Sequence, residues 1–114
     1  MISRALIIKK QYLDLIFDND KIWEMRSTIV KPKLFGRICL IEAGSGLIVG
    51  ETDLIGCGKP LSERMALLTK NFHQVEDLEL LKKWKYPWLL ENAKRYEKPI
   101  PYKHPQGAVI WVKL

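Results

Sequence analysis

Three ionic residues within six positions, Lys21, Glu24 and Arg26, are the part of this chain best equipped for chemistry. Brought to one place, they suit a binding site: the arginine forks onto a phosphate or a base edge, the lysine adds a point charge, and the glutamate accepts from an amino group. They equally suit a reaction, with a desolvated lysine as general base and the glutamate as acid or orienter. The inert alternative is a pair between Glu24 and Arg26 on one strand face, worth about 0 to 1 kcal/mol when exposed.

The elements around them decide whether they meet. Asn19 and Asp20 are turn formers that tolerate left-handed backbone angles, and from Ile22 onward β-branched and aromatic residues suit a strand. A period of two puts Ile22, Glu24 and Arg26 on one face and Trp23 and Met25 on the other. Lys21 lies three positions before Glu24, so it joins that face only if it still belongs to the turn; that is the expectation. Upstream, residues 5–9 read as an apolar strand and 11–17 as a two-turn amphipathic helix. Downstream, 37–43 and 47–55 flank Gly44-Ser45-Gly46 and read as an antiparallel hairpin. Ser45 could let a phosphate or base approach the backbone, a plain turn being the alternative. Ser62 opens a helix with Met65, Leu68 and Phe72 at helical spacing, and Asp77 caps another running to about residue 85. Their Leu and Met residues are expected in the core. Residues 87–96 fit a strand or a helix with proline in its first turn, and 108–113 a closing strand with Trp111 in the core.

The run Asn19-x-Lys21-x-x-Glu24-x-Arg26 resembles the Gly-x-Lys-x-x-Glu-x-Arg signature of the ASCH domain (activating signal cointegrator homology), with asparagine in place of the first glycine. Gly36-Arg37-Ile38-Cys39-Leu40-Ile41 is similar to that family's second core strand and the run from Ile48 to Cys57 to its third. The stretch from Pro99 to Tyr102 and that from Gly107 to Trp111 resemble its closing strands. The resemblance implies an α+β fold: a small mixed, mainly antiparallel PUA-like barrel, with a helix after the first strand and two inserted helices around 62–85. It also favours a strand for 87–96, placing Trp88, Leu90 and Asn92 on one face and Leu89, Glu91 and Ala93 on the other, with the Glu91-Asn92 pair near the cleft.

At 114 residues the chain is expected to form one domain, 1–114. Its apolar runs are far shorter than the roughly 20 residues of a membrane span or the core of a secretory signal, so a cytoplasmic protein is expected. Cys39 and Cys57 form no Cys-x-x-Cys pair and no histidine stands at ligand spacing, so neither a metal nor a cofactor is expected. Both are read as packed free thiols, and His73 and His104 as isolated. The net charge of +6 is uneven. Residues 82–103 carry Lys82, Lys83, Lys85, Lys94, Arg95, Lys98 and Lys103 against Glu91 and Glu97, which favours a polyanionic partner. Lys31, Lys33 and Arg37 are candidates for a second basic patch near Arg26.

PUA-like domains bind RNA, so the resemblance implies a site for RNA or a modified nucleoside. Arg26, Ser27, Ser45, Glu91, Lys94 and Arg95 are the candidate contacts, and Trp23, Tyr86 and Trp88 the candidate stacking partners. The second reading is a hydrolase. Some small ASCH proteins remove the acetyl group of N4-acetylcytidine with a lysine, a threonine and a distant glutamate, and others are ascribed RNA cleavage. Lys21 matches that lysine, but Glu24 stands where the threonine would be. Lys21 and Glu24 are the catalytic candidates on this reading; a protein-interaction domain is the third.

Overall fold

The computed structural model describes residues 2–114. Six strands and three short α-helices follow in the order β1 (Arg4–Ile8), α1 (Lys10–Phe17), β2 (Trp23–Arg26), β3 (Gly36–Glu42), β4 (Leu47–Cys57), α2 (Glu63–Leu68), α3 (Lys70–His73), β5 (Tyr86–Pro101) and β6 (Trp111–Lys113). They form one sheet in the order β2-β5-β4-β3-β1-β6. Only the β1–β3 pair is parallel. The sheet curls into a half-barrel whose free edges are β2 and β6, in agreement with the mixed, mainly antiparallel α+β fold expected.

One face of the sheet wraps around α1. Leu13 and Ile16 of the helix are buried with Leu6, Ile8, Ile38, Leu40, Leu54, Trp88 and Leu90. Gly50 allows this close fit, because a Cβ there would run into the Lys94 carbonyl and the Phe17 ring. The opposite face carries a smaller cluster of Ala5, Cys39, Ile41, Ile48 and Val112. A third cluster, Met25, Ala66, Val75 and Leu81, joins the outer side of β2 to the segment between β4 and β5.

That segment departs from expectation. The first helix is broken at Thr69, whose hydroxyl donates back to the Met65 carbonyl at 2.5 Å and competes with the helical backbone. The second is a 3₁₀ turn, Leu78–Lys82, capped as expected by Asp77. The apolar set Met65, Leu68 and Phe72 is exposed, not core. The buried face is Ala66, Thr69 and His73, a small residue and two whose polar atoms are all hydrogen-bonded.

The strand at 86–101 holds, but its alternation fails at Asn92. There Thr52 of β4 opposes two residues of β5, a bulge, and Asn92 takes φ 54°. Asn92 therefore turns outward to donate to Asp53 at 3.0 Å, while Ala93 takes its place against the core. Arg37 secures the bulge, donating to the Asn92 carbonyl at 2.8 Å and pairing with Glu51 and Asp53. It lies on the outer sheet face, where Glu51 and Asp53 meet its charge.

Gly50→Ala should lower the unfolding free energy by about 1–3 kcal/mol through overpacking, measured by urea denaturation; an unchanged midpoint would refute the α1–β4 contact.

Candidate functional site

The turn before β2 works as the spacing requires. Asn19 adopts φ 64°, the left-handed conformation that asparagine tolerates. The Asp20 and Lys21 amides both bond the Leu15 carbonyl at the end of α1. Lys21 thus leaves the turn directed inward, and its side chain is 1% exposed. Its ammonium donates to the His73 carbonyl at 2.5 Å, lies 3.8 Å from Glu24 Oε1 and sits 4.9 Å from the centre of the Tyr12 ring. Burial is the largest influence on this amine and, with Arg26, outweighs Glu24, bringing its pKa down to about 8.

Glu24 is 5% exposed and shared between two cations. Arg26 donates to its Oε2 through Nε at 3.1 Å and through Nη2 at 2.8 Å. The same Nη2 donates to the Ile7 carbonyl of β1 at 2.7 Å. β2 and β1 are not paired in the sheet, so Arg26 spans the seam of the half-barrel. Its guanidinium lies 5.7 Å from the Trp88 ring, which faces it from the neighbouring strand.

Lys21, Glu24 and Arg26 open on one cleft of about 370 Å³. Its other walls include Tyr12 and Gln11 of α1, Ile7 and Lys9 at the end of β1, Met25, Val75, Leu80, Leu81 and Trp84. The three ionic residues sum to a charge of +1, in a cleft with one apolar wall and two aromatic rings. Lys83 lies 5.5 Å from the Trp84 ring.

The remaining sequence candidates fall elsewhere. Trp88 is 2% exposed, its indole N–H donates to the Thr28 carbonyl at 2.9 Å, and it stacks on Trp111; it supports Arg26 from below and is no platform for a ligand. Trp23 packs on Phe72, 5.0 Å between ring centres, and Tyr86 against the core; neither lines the cleft. Ser27 is exposed at the end of β2. Ser45 closes its own turn, donating to Glu42 and accepting from the Leu47 amide. Lys94 and Arg95 lie on the far half of β5, Arg95 paired with Asp14 and over the Phe17 ring. Glu91 lines a second hollow of about 440 Å³ with Asn19, Ile55 and Asn92, and Lys21 lines both that hollow and the cleft. Tyr12, Trp84 and His73 were missed: Tyr12 reads as a helix-face hydrophobe, Trp84 falls outside any regular element, and His73 contributes its backbone oxygen. Among the described residues no cluster of histidine, cysteine and carboxylate side chains could hold a metal, and no helix is long and apolar enough to cross a membrane.

A curled mixed sheet around α1, with a charged cleft at its seam, defines a small α+β half-barrel. No protein-family model matches the sequence, and no curated protein matches it. Solved structures do: ASCH from Zymomonas mobilis matches with a TM-score of 0.73 at 14% identity, over 97% of this chain and 86% of that one. A serine-to-alanine variant of the same protein gives 0.72 and a tyrosine-to-phenylalanine variant 0.71, at the same identity and share of this chain, over 87% and 88% of theirs. The fold is that of an ASCH domain.

The depressed Lys21 pKa has a measurable sign. Between about 8 and its ordinary value the unfolded chain holds more protons at this site, so unfolding free energy rises with pH there. From pH 8 to 10 the parent should gain about 1–3 kcal/mol relative to Lys21→Met in denaturation at each pH. A constant difference between the two would refute a depressed Lys21.

Proposed function

We propose that the protein binds RNA or a modified nucleoside, with the base in the seam cleft. The observation that carries this reading is the convergence of Lys21, Glu24 and Arg26 with the Tyr12 and Trp84 rings on one hollow of about 370 Å³. Trp84 offers a stacking surface, and Glu24 Oε1 is an acceptor for an exocyclic amino group. The exposed Lys9 and Lys83 at the rim meet the phosphates that flank a bound base. The ASCH fold agrees with this reading without deciding it.

A hydrolase is the second reading, favoured by Lys21 alone: a buried amine with a pKa near 8 is partly neutral at physiological pH and able to take a proton. Its weakness is the nucleophile. Glu24 is held by two cations, and Ser27 is exposed at the far end of β2.

Titration with single-stranded RNAs and modified nucleosides, with products followed by mass spectrometry, separates these. On the binding reading Trp84→Ala weakens affinity by about 5- to 100-fold, the equivalent of about 1–3 kcal/mol of stacking, and Lys94→Ala leaves nucleoside affinity unchanged. Equal affinity in Trp84→Ala would place the ligand outside this cleft. Release of acetate from N4-acetylcytidine that Lys21→Ala abolishes would establish the hydrolase.

A further inference from the structure

His73 is wholly buried, yet it lies outside the cleft and has no charged partner. Both ring nitrogens are used. Nδ1 accepts the Val75 amide at 2.9 Å, so the proton sits on Nε2, which donates to the Ala66 carbonyl of α2 at 2.7 Å. The ring therefore ties α2 to the chain just past Gln74, which turns through φ 56° at the end of α3. That turn directs the His73 carbonyl at the Lys21 ammonium. The other neighbours of the ammonium, Glu24 and Tyr12, belong to the cleft. Among the described residues, the His73 carbonyl is the hydrogen-bond acceptor that Lys21 meets outside the cleft.

We propose that His73 is the positioning residue of the cleft: its neutral imidazole holds the α3 turn in the geometry that presents its carbonyl to Lys21, and protonation at Nδ1 releases the lysine. The inference deepens the binding reading by giving that site an acid-sensitive support, and it rests on Lys21 being part of the site.

A proton taken from solvent at Nδ1 sets two donors, Nδ1–H and Val75 N–H, against each other in a buried place, where an unmet donor is costly. It also adds a cation. The titratable groups about the ring are Lys21, backed by Glu24 and Arg26, on the approach to β2; Lys70 in α3, paired with the exposed Glu76; and Tyr12 of α1 behind the lysine. From α2 the ring meets the Ala66 carbonyl. Burial most of all, and then the Lys21 and Lys70 charges, keep the His73 pKa below its ordinary value despite the Ala66 bond. The ring is thus neutral at pH 7. Its contribution to stability is complete above about pH 6.5, the unfolded value, and is lost as pH falls through the folded one.

The test follows the Lys21 side chain directly, by NMR of its Cε and Nζ in the full chain without any ligand. In the parent, the Lys21 signals should move in an acid step with a midpoint below about 6.5, together with the His73 ring nitrogens, which should report the Nε2–H tautomer at pH 7. In His73→Gln, which keeps a donor for Ala66, the acid step should vanish. The alkaline titration of Lys21 should also move by about half a pH unit or more. A folded His73→Gln whose Lys21 titrates as in the parent overturns the proposal. If that variant does not fold, the parent alone decides: ring and lysine signals that titrate independently, or an Nδ1–H tautomer, overturn it. Because no ligand is present, a blank in the nucleoside titrations counts against the proposed function and leaves this result standing.

Discussion

The Glu24 carboxylate, buried between the Lys21 ammonium and the Arg26 guanidinium, is the interaction on which this end of the molecule depends. Three charges taken out of water cost several kcal/mol each, and only close pairing with further hydrogen bonds recovers it. Arg26 meets this condition with two bonds to Glu24 and a third to Ile7, and Lys21 with the His73 carbonyl. Such a cluster is not an economical way to stabilise a small fold, since apolar residues of similar volume serve as well or better. It does fix a geometry. The bond from Arg26 to Ile7 joins two strands that the sheet leaves unpaired, so the charge cluster and the closure of the half-barrel are one structure.

The rest of the fold holds this cluster in place from three directions. Below it, Trp88 is buried and bonded to Thr28, which gives the guanidinium a fixed aromatic surface at 5.7 Å. On the inner side, α1 presents Tyr12 to the lysine, and the contact of Phe17 with Gly50 sets how closely that helix sits. On the outer side, α2 and α3 bring the His73 carbonyl, their approach made close by a buried face of alanine, threonine and histidine. A larger side chain at Ala66 would hold the helices away from β2, and the lysine would lose its acceptor.

The motif was legible because two simple periodicities converge on it. A strand repeat of two places Glu24 beside Arg26, and the turn chemistry of Asn19 brings Lys21 round to them; local rules suffice for both. The order of elements, the hairpin at Gly44-Ser45-Gly46 and the long β5 were legible for the same reason. What escaped depends on contacts between distant segments. Met65, Leu68 and Phe72 have the spacing of a core face, yet the buried face is Ala66, Thr69 and His73, because hydrogen bonds to Met65, Ala66 and Val75 satisfy its polar atoms. Hydropathy alone gives no credit for that. The bulge at Asn92 likewise comes from the pairing of β5 with β4, and Arg37 was drawn to Glu51 and Asp53 by register, not by its neighbours in sequence. Trp84 enters the cleft from the irregular stretch after the 3₁₀ turn at Leu78–Lys82, where the sequence predicts a helix to about residue 85.

The same pairing restricts what the cleft can recognise on the proposed reading. A free arginine would clasp a phosphate with two parallel N–H donors, but Arg26 has committed Nε and Nη2 to Glu24 and Ile7. To grip a phosphate it would have to abandon the carboxylate and open the seam. Among the described residues Arg26 Nη1 makes no hydrogen bond, while Glu24 Oε1 faces the Lys21 ammonium at 3.8 Å. On the proposed reading a base edge can use the remaining Arg26 N–H without opening the seam. A second anion would instead face a carboxylate among three ionic residues whose charges sum to only +1. On that reading the committed guanidinium favours a base edge over a phosphate at this position, and phosphate contacts fall to exposed lysines such as Lys9.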